Sequence, residues 1–244
     1  YIEQSLALSQ KLKYDKGLAS AYRQLGFYQT VILNDSKKGL EYLSKSLKIA
    51  EKLSDKEPLY RNYALYAGFY QRTGDYDKSL DYRLKALKTA ETIKNKPFII
   101  EANLELGIHY HRSNDSTRAL HYFAKALKIA ESINDKKHLY YVYNTYSDYY
   151  REKGNRSQAL EYRLKALKTI EIVGDKQNMI WANINVAFYF VQDTTKALPY
   201  FAKSLKIAES LKDKRFLWRV NTIMGDFYQE RGDLIKNLAY KRKA

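Results

Sequence analysis

The chain has 244 residues, no cysteine, and 43 Lys and Arg against 27 Asp and Glu, a formal charge of +16. Without cysteine there is no disulfide framework and no thiol nucleophile, a composition that suits a cytoplasm as well as a bacterial periplasm. No apolar run reaches the roughly 18 residues a membrane helix needs, so the sequence predicts no membrane segment.

The chain opens on a helical apolar pattern, Tyr1, Leu6, Leu8 and Leu12, with no initiator Met, and it stops at Ala244 where a similar pattern would continue. Both ends then fall inside helices, and the sequence reads as a piece of a longer protein. Between them one phrase recurs: GLEYLSKSLKIAEKLSDK from Gly39, SLDYRLKALKTAETIKNK from Ser79, ALHYFAKALKIAESINDK from Ala119, ALEYRLKALKTIEIVGDK from Ala159 and ALPYFAKSLKIAESLKDK from Ala197. The interval is 40 residues, shortening to 38 before the last copy. A period of this length predicts a solenoid stabilised by neighbouring units rather than one globular core.

Each copy is predicted to be a helix because its apolar residues keep helical spacing. In the third, Ala119, Leu120, Phe123, Ala126, Leu127, Ala130 and Ile133 form one stripe, with Lys125, Lys128 and Glu131 opposite. The stretch before each copy repeats apolar residues at four-residue steps, as in Ala102, Leu106 and Tyr110, so each period is a pair of antiparallel helices. Gly74-Asp75, Asn114-Asp115 and Gly154-Asn155 supply a turn residue and an N-cap within units. Asp55-Lys56, Asn95-Lys96, Asp135-Lys136, Asp175-Lys176 and Asp213-Lys214 mark the joints between units, with Pro58 and Pro97 at the helix start, where a missing N–H costs little. The predicted units are 1–16 (partial), 17–56, 57–96, 97–136, 137–176, 177–214 and 215–244 (partial), within a single domain 1–244.

Two irregularities stand out. The turn between Phe190 and Ala197 is two residues short, predicting a tight joint there, with Pro199 in the first turns of the next helix. In the first unit a strict period puts Thr30 where other units have Tyr, whereas Leu25-Gly26-Phe27-Tyr28 fits the motif in a shifted register. Both registers stay open.

These residues resemble the tetratricopeptide repeat family, whose helix pair carries Leu-Gly-x-x-Tyr, a Gly-Asp turn, and Ala-x-x-x-aromatic-x-x-Ala. The third unit has Leu106-Gly107, Tyr110, Asn114-Asp115, Ala119, Phe123 and Ala126, and the sixth has Met224-Gly225, Tyr228 and Gly232-Asp233. Looser versions are Tyr66-Ala67 with Tyr70 and Tyr146-Ser147 with Tyr150. The period exceeds the family's usual length of about 34 residues, and Glu91, Glu131 or Glu171 stands where the closing proline is usual. This extended form is similar to repeats of kinesin light chains, of Rap-type quorum-sensing regulators and of large sensory regulators of Bacteroidetes-like bacteria; the Lys-Ala-Leu-Lys-Ile-Ala-Glu wording resembles the last group. The resemblance implies an all-α, right-handed superhelical solenoid with first helices on its concave face. It implies a non-catalytic module binding a protein or peptide segment in the concave groove, within a larger bacterial signalling or transcriptional regulator.

The variable first-helix residues are then the candidate ligand contacts. They are Arg61 and Arg72; Arg112; Tyr141, Asn144, Asp148 and Arg151; Trp181, Asn185 and Phe188; and Arg219. Arginines suit carboxylates, asparagines suit a peptide backbone, and Trp181 with Phe188 would make an apolar pocket. The alternative for each is a solvated residue, or one paired with Glu101, Glu105, Asp148 or Glu152.

Other chemistry is thinly represented. The net positive charge raises nucleic acid as a partner, but the repeated second-helix and joint slots hold fifteen lysines against twelve acids. Glu41-Lys45, Asp81-Lys85 and Glu161-Lys165 have the spacing of surface ion pairs worth about 0.3 kcal/mol each. Tyr42, Tyr82, Tyr122, Tyr162 and Tyr200 recur with the repeat, as packing residues do, rather than as base platforms. His109, His111, His121 and His138 lack metal-ligand spacing, and no phosphate loop or nucleophile motif is present, so no metal, cofactor or catalytic residue is assigned. The competing reading is a self-associating scaffold that uses exposed ends or the convex surface.

Overall fold

A computed structural model describes residues 1–243. Among them are thirteen helices and no strand. The chain divides into two compact units, Tyr1–Ala130 and the residues from Glu131 onward.

The first unit contains α1 (Ile2–Lys11), α2 (Asp15–Val31), α3 (Ser36–Lys52), α4 (Glu57–Thr73), α5 (Tyr76–Thr92), α6 (Lys96–Arg112) and most of α7 (Ser116–Ser132). Within it α2 packs along α3 and α4 along α5, and α3 and α5 in turn meet α4 and α6. The second unit contains α8 (Lys136–Glu152), α9 (Arg156–Val173), α10 (Lys176–Tyr189), α11 (Thr194–Leu211), α12 (Lys214–Gln229) and α13 (Leu234–Lys243). There α8 pairs with α9, α10 with α11 and α12 with α13. Within each unit the helices pack on their neighbours in chain order, which makes the fold an all-α solenoid of antiparallel helix pairs.

The helices start and stop where the sequence places the signals. Asp75 accepts from Lys78 N at 3.1 Å, Asn95 from Phe98 N at 3.2 Å, Asp135 from His138 N at 3.0 Å and Asn155 from Gln158 N at 3.1 Å. Each bond satisfies an N–H the helix cannot reach itself. The joint before α4 differs: its N-cap is Lys56 without a side-chain cap, and Asp55 accepts instead from Glu57 N at 2.9 Å. The turns need a left-handed residue, supplied by Gly74 at φ 82°, Asn114 at φ 58° and Gly154 at φ 77°.

Small residues let the paired helices approach. A Cβ on Gly107 would run into the Phe123 ring and come within 3.1 Å of the Ala119 carbonyl oxygen. Buried serines bond across the crossings, Ser79 Oγ to Ala67 O at 2.9 Å and Ser147 Oγ to Ala159 O at 2.7 Å. The repeating tyrosines fill the space beside them: Tyr82 stacks on Tyr66 at 4.7 Å and on Tyr70 at 5.6 Å, Tyr162 on Tyr146 at 4.8 Å and Tyr122 on Tyr110 at 5.5 Å. These rings are occupied by packing, and burial pushes the Tyr66 hydroxyl up to about 12.

Both irregular places resolve. In the first unit Gly26 takes the crossing slot, its Cβ direction 2.7 Å from Leu43 Cγ, while Thr30 turns inward and donates to Gly26 O at 2.8 Å. The shifted register is adopted, and Thr30 fills the space that a Cβ on Gly39 would need. The tight joint expected after Phe190 does not form. The missing residues are removed from the end of α10, which has 14 residues where α8 has 17, and Phe190 to Asp193 remain a four-residue loop. Losing part of a last helical turn costs few contacts, whereas a shorter loop would strain the reversal.

Candidate functional site

The candidate residues of the second unit fall into two groups. Asn144, Asp148 and Arg151 lie on one face of α8, because steps of four and three residues bring side chains nearly in line. Arg156 and Arg163 are likewise seven apart on α9, at its first turn and two turns later. From α10, Asn185, Phe188 and Tyr189 close the opposite side, and together they border a cavity of about 430 Å³ that also touches Arg151, Gly154, Arg156 and Arg163.

Arg163 is the centre of this site. Its side chain is only 5% exposed, yet it carries a full charge. Its Nη2 donates to Asp148 Oδ1 at 2.7 Å and its Nη1 to Asn144 Oδ1, while Asn144 Nδ2 donates to Tyr140 O at 2.8 Å. The Nε–H has no partner among the described residues. Asp148 is shared with Arg151, whose Nη2 lies 3.2 Å away on the exposed side. Arg156 is exposed and donates to Tyr189 O, and the Tyr189 hydroxyl lies 3.1 Å from Ser147 Oγ. Phe188, 48% exposed, rests edge-on against Phe201 at 5.9 Å. Three guanidiniums therefore stand around one opening, with Asp148 the carboxylate bonded to two of them.

The second group lies on α10 and α12. Trp181 meets Phe216 at 6.5 Å, and the Arg219 guanidinium sits 5.7 Å above the indole. An open hollow of about 650 Å³ beside them is lined by Gln177, Lys214, Arg215, Phe216, Trp218 and Arg219. Trp181 and Phe188, expected to make an apolar pocket, meet different aromatic rings, Phe216 and Phe201. Seven residues along a helix separate side chains by about 10 Å of rise, and each ring finds a different neighbour. Tyr141, 41% exposed, lies edge-on to Tyr140 and belongs to neither group.

In the first unit the candidates do not gather. Arg61 pairs with Glu57 at 2.8 Å and lies over the Phe98 ring, and Arg112 is exposed. Arg72 donates to Thr30 O at 3.3 Å, at the edge of an apolar hollow of about 120 Å³ left open by Gly68.

Sequence reasoning missed Arg156, Arg163 and Tyr189. A signal for Arg163 was present: its slot in the second helix holds Leu43, Phe123 and Phe201 in other copies, and Arg83 and Arg163 in two. A charged residue at an otherwise buried apolar slot is costly unless it is paired, and Arg83, also 5% exposed, is paired with Glu105.

The remaining surface behaves as a solvated lattice. Lys85 pairs with Asp81 and Lys165 with Glu161, both at 2.7 Å, while Lys45 lies over the Tyr22 and Tyr42 rings. Burial and the neighbouring Arg83 and Arg112 hold the His109 imidazole below its usual range, and His138 Nδ1 lies 2.7 Å from Asp135. Among the described residues no group of three His, Asp or Glu could hold a metal, and no helix is long and apolar enough to cross a membrane.

A tetratricopeptide repeat model matches residues 59–132 and 98–171. Among solved structures the chain is similar to a Signal Transduction ATPase with Numerous Domains that has a tetratricopeptide repeat sensor, from Pyrococcus horikoshii (TM-score 0.71, 18% identity), covering 99% of this chain and 38% of that one. A Rap protein complexed with Competence and Sporulation Factor matches with TM-score 0.68 and 16% identity over 91% of this chain and 62% of that one. BtubC from P. vanneervenii matches with TM-score 0.62 and 18% identity over 86% and 87%. At these identities the likeness is one of fold, and this chain spans less than two thirds of each of the first two proteins. No curated protein matches the sequence.

Proposed function

We propose that this chain, whose repeats are tetratricopeptide repeats, is a non-catalytic module that captures a protein or peptide segment, as the sensory or interaction region of a larger bacterial signalling or transcriptional regulator. The observation that carries the reading is the cavity of the second unit. There Arg151, Asn185 and Phe188, three first-helix residues the repeat does not dictate, converge with Arg156 and Arg163 on one opening. Charge-assisted donors, an amide and an aromatic ring are the groups that read an extended peptide. Two of the similar structures support a sensing role, one named for its repeat sensor and one solved with a bound factor.

Selection of a displayed random-peptide library on the immobilised protein tests this. Peptides retained by the native chain should lose binding to Arg151→Ala and Phe188→Ala, at more than about 1 kcal/mol for a buried anchor or charge-assisted bond. They should bind Lys128→Ala and Lys168→Ala unchanged. Retention lost with the lysine variants and kept with the others would reject the site.

The self-association reading is favoured by different residues: Leu8 and Leu12 in the first unit and Leu234, Ile235 and Leu238 in the second are each more than half exposed. Sedimentation at rising concentration discriminates the two, since a module that acts by capture alone stays monomeric.

A further inference from the structure

The two buried arginines sit 80 residues apart at the same slot, but their surroundings are not the same. In the first unit Arg83 is answered by Glu105 of α6. Eighty residues on, the position of Glu105 is occupied by Asn185, which borders the cavity beside Arg163. The second unit has therefore exchanged the carboxylate for a neutral amide. It has also added positive charge at the same place: Gln71 and Tyr76 of the first unit correspond to Arg151 and Arg156. Asp148 compensates only part of this, since it bonds Arg163 and reaches Arg151 at 3.2 Å.

We infer that the cavity bordered by Arg151, Arg156, Arg163 and Asn185 is an oxyanion seat, and that a carboxylate or phosphoryl group of the captured peptide enters it on the side where Asn185 stands at the repeat position of Glu105. The inference deepens the recognition reading and rests on it. The incoming oxygens take the Arg151 guanidinium in place of its long bond to Asp148 and accept from Arg156 and the Asn185 amide, while Arg163 keeps Asp148 and supplies charge from behind. Fork-shaped donors around one opening suit a planar or tetrahedral oxyanion better than a lone ammonium would. Phe188 beside them gives the residue bearing the anion an apolar neighbour.

Arginine Nε–H resonances of the whole chain, followed during titration with inorganic phosphate and separately with succinate at constant ionic strength, test the seat. Saturable shifts at Arg151 and Arg156 are expected. A phosphate response that saturates at much lower concentration than succinate assigns a phosphorylated partner; comparable responses assign an acidic side chain or a chain terminus. Asn185→Glu, which restores the arrangement around Arg83, should abolish both responses and leave the circular dichroism unchanged. The exposed pair Arg151→Gln/Arg156→Gln should weaken them by about tenfold or more, the loss of at least one charge-assisted bond. Responses that do not saturate, or that survive in Asn185→Glu, overturn the seat. If displayed peptides without acidic groups are nevertheless retained and lost with Phe188→Ala, the anion inference falls and peptide capture stands.

Discussion

Phe123 and Arg163 occupy the same repeat slot, one on α7 in the first unit and one on α9 in the second. Phe123 is 1% exposed and lies against Gly107, whose missing side chain makes room for the ring. Arg163 is almost as deeply buried, but Ser147 stands at the repeat position of Gly107, and the Arg163 stem ends in a guanidinium held by Asn144 and Asp148. Apolar burial of a Phe ring is one of the larger favourable terms in a small unit, whereas a buried ion pair roughly cancels its own desolvation. One slot therefore serves stability at Phe123 and leaves a charge beside a cavity at Arg163.

That contrast yields a ranked series. Phe123→Ala should cost the most, about 3–5 kcal/mol in equilibrium denaturation, since the cavity it leaves is enclosed; a cost under about 1 kcal/mol would show that the slot is not a packing anchor. Gly107→Ala should follow at about 1–3 kcal/mol, because the new methyl meets the Phe123 ring and the Ala119 carbonyl. Arg163→Leu, which copies the Leu43 version of the slot, should change stability by less than about 1 kcal/mol in either direction while weakening peptide capture. A large loss of stability there would make Arg163 a structural residue. Gly68→Ala should stabilise by about 0.5–1 kcal/mol, because nothing lies within 4 Å of the added methyl and the position is inside a helix.

The smallest effect per group belongs to the caps, and it appears as a pH dependence. Asp75, Asp115, Asp213 and Asp233 are held below the usual carboxylate range by the Lys or Arg and the N–H that they cap, and Asp193, bonded first to the Thr195 hydroxyl and then to Lys196, is lowered to about 2. Their folded pKa values lie below the unfolded value of about 3.9. Their contribution is thus complete above that value and is lost as the pH falls through the folded ones. The thermal midpoint should be level near pH 6 and decline between about pH 4 and pH 2, with a shallower decline in Asp193→Asn, which keeps the cap acceptor without the charge.

Much of the fold was legible in the sequence because a solenoid repeats its instructions. The Asp and Asn caps, the left-handed Gly74, Asn114 and Gly154, and the stacked Tyr82, Tyr122 and Tyr162 lie where the period puts them. The register of the first unit was not legible, since it depends on Thr30 bonding Gly26 and filling the space over Gly39. Nor was the fate of the two missing residues before α11, because a deletion can shorten a loop or a helix and only packing decides which. The site was half legible. Variation marked Arg151, Asn185 and Phe188, but the same criterion marked Arg61, which Glu57 and Phe98 engage locally. Arg156 and Tyr189 are 33 residues apart and meet only once α9 and α10 are packed.

The alternation at the arginine slot also bears on how such a chain arises. Tyr82 to Thr89 on α5 and Tyr162 to Thr169 on α9 are the same eight residues, YRLKALKT, while Tyr122 to Ile129 on α7 and Tyr200 to Ile207 on α11 differ only at Ala126 and Ser204. Second helices of alternate units are more alike than those of adjacent units, the pattern expected of a chain that lengthens two units at a time. The shared eight residues carry the arginine but not the setting that holds it, since Glu105 answers Arg83 whereas Asn144 and Asp148 hold Arg163. A lineage that gains or loses a pair keeps the alternation in phase, and one that changes by a single unit sets the guanidinium beside a neighbour that never evolved to receive it.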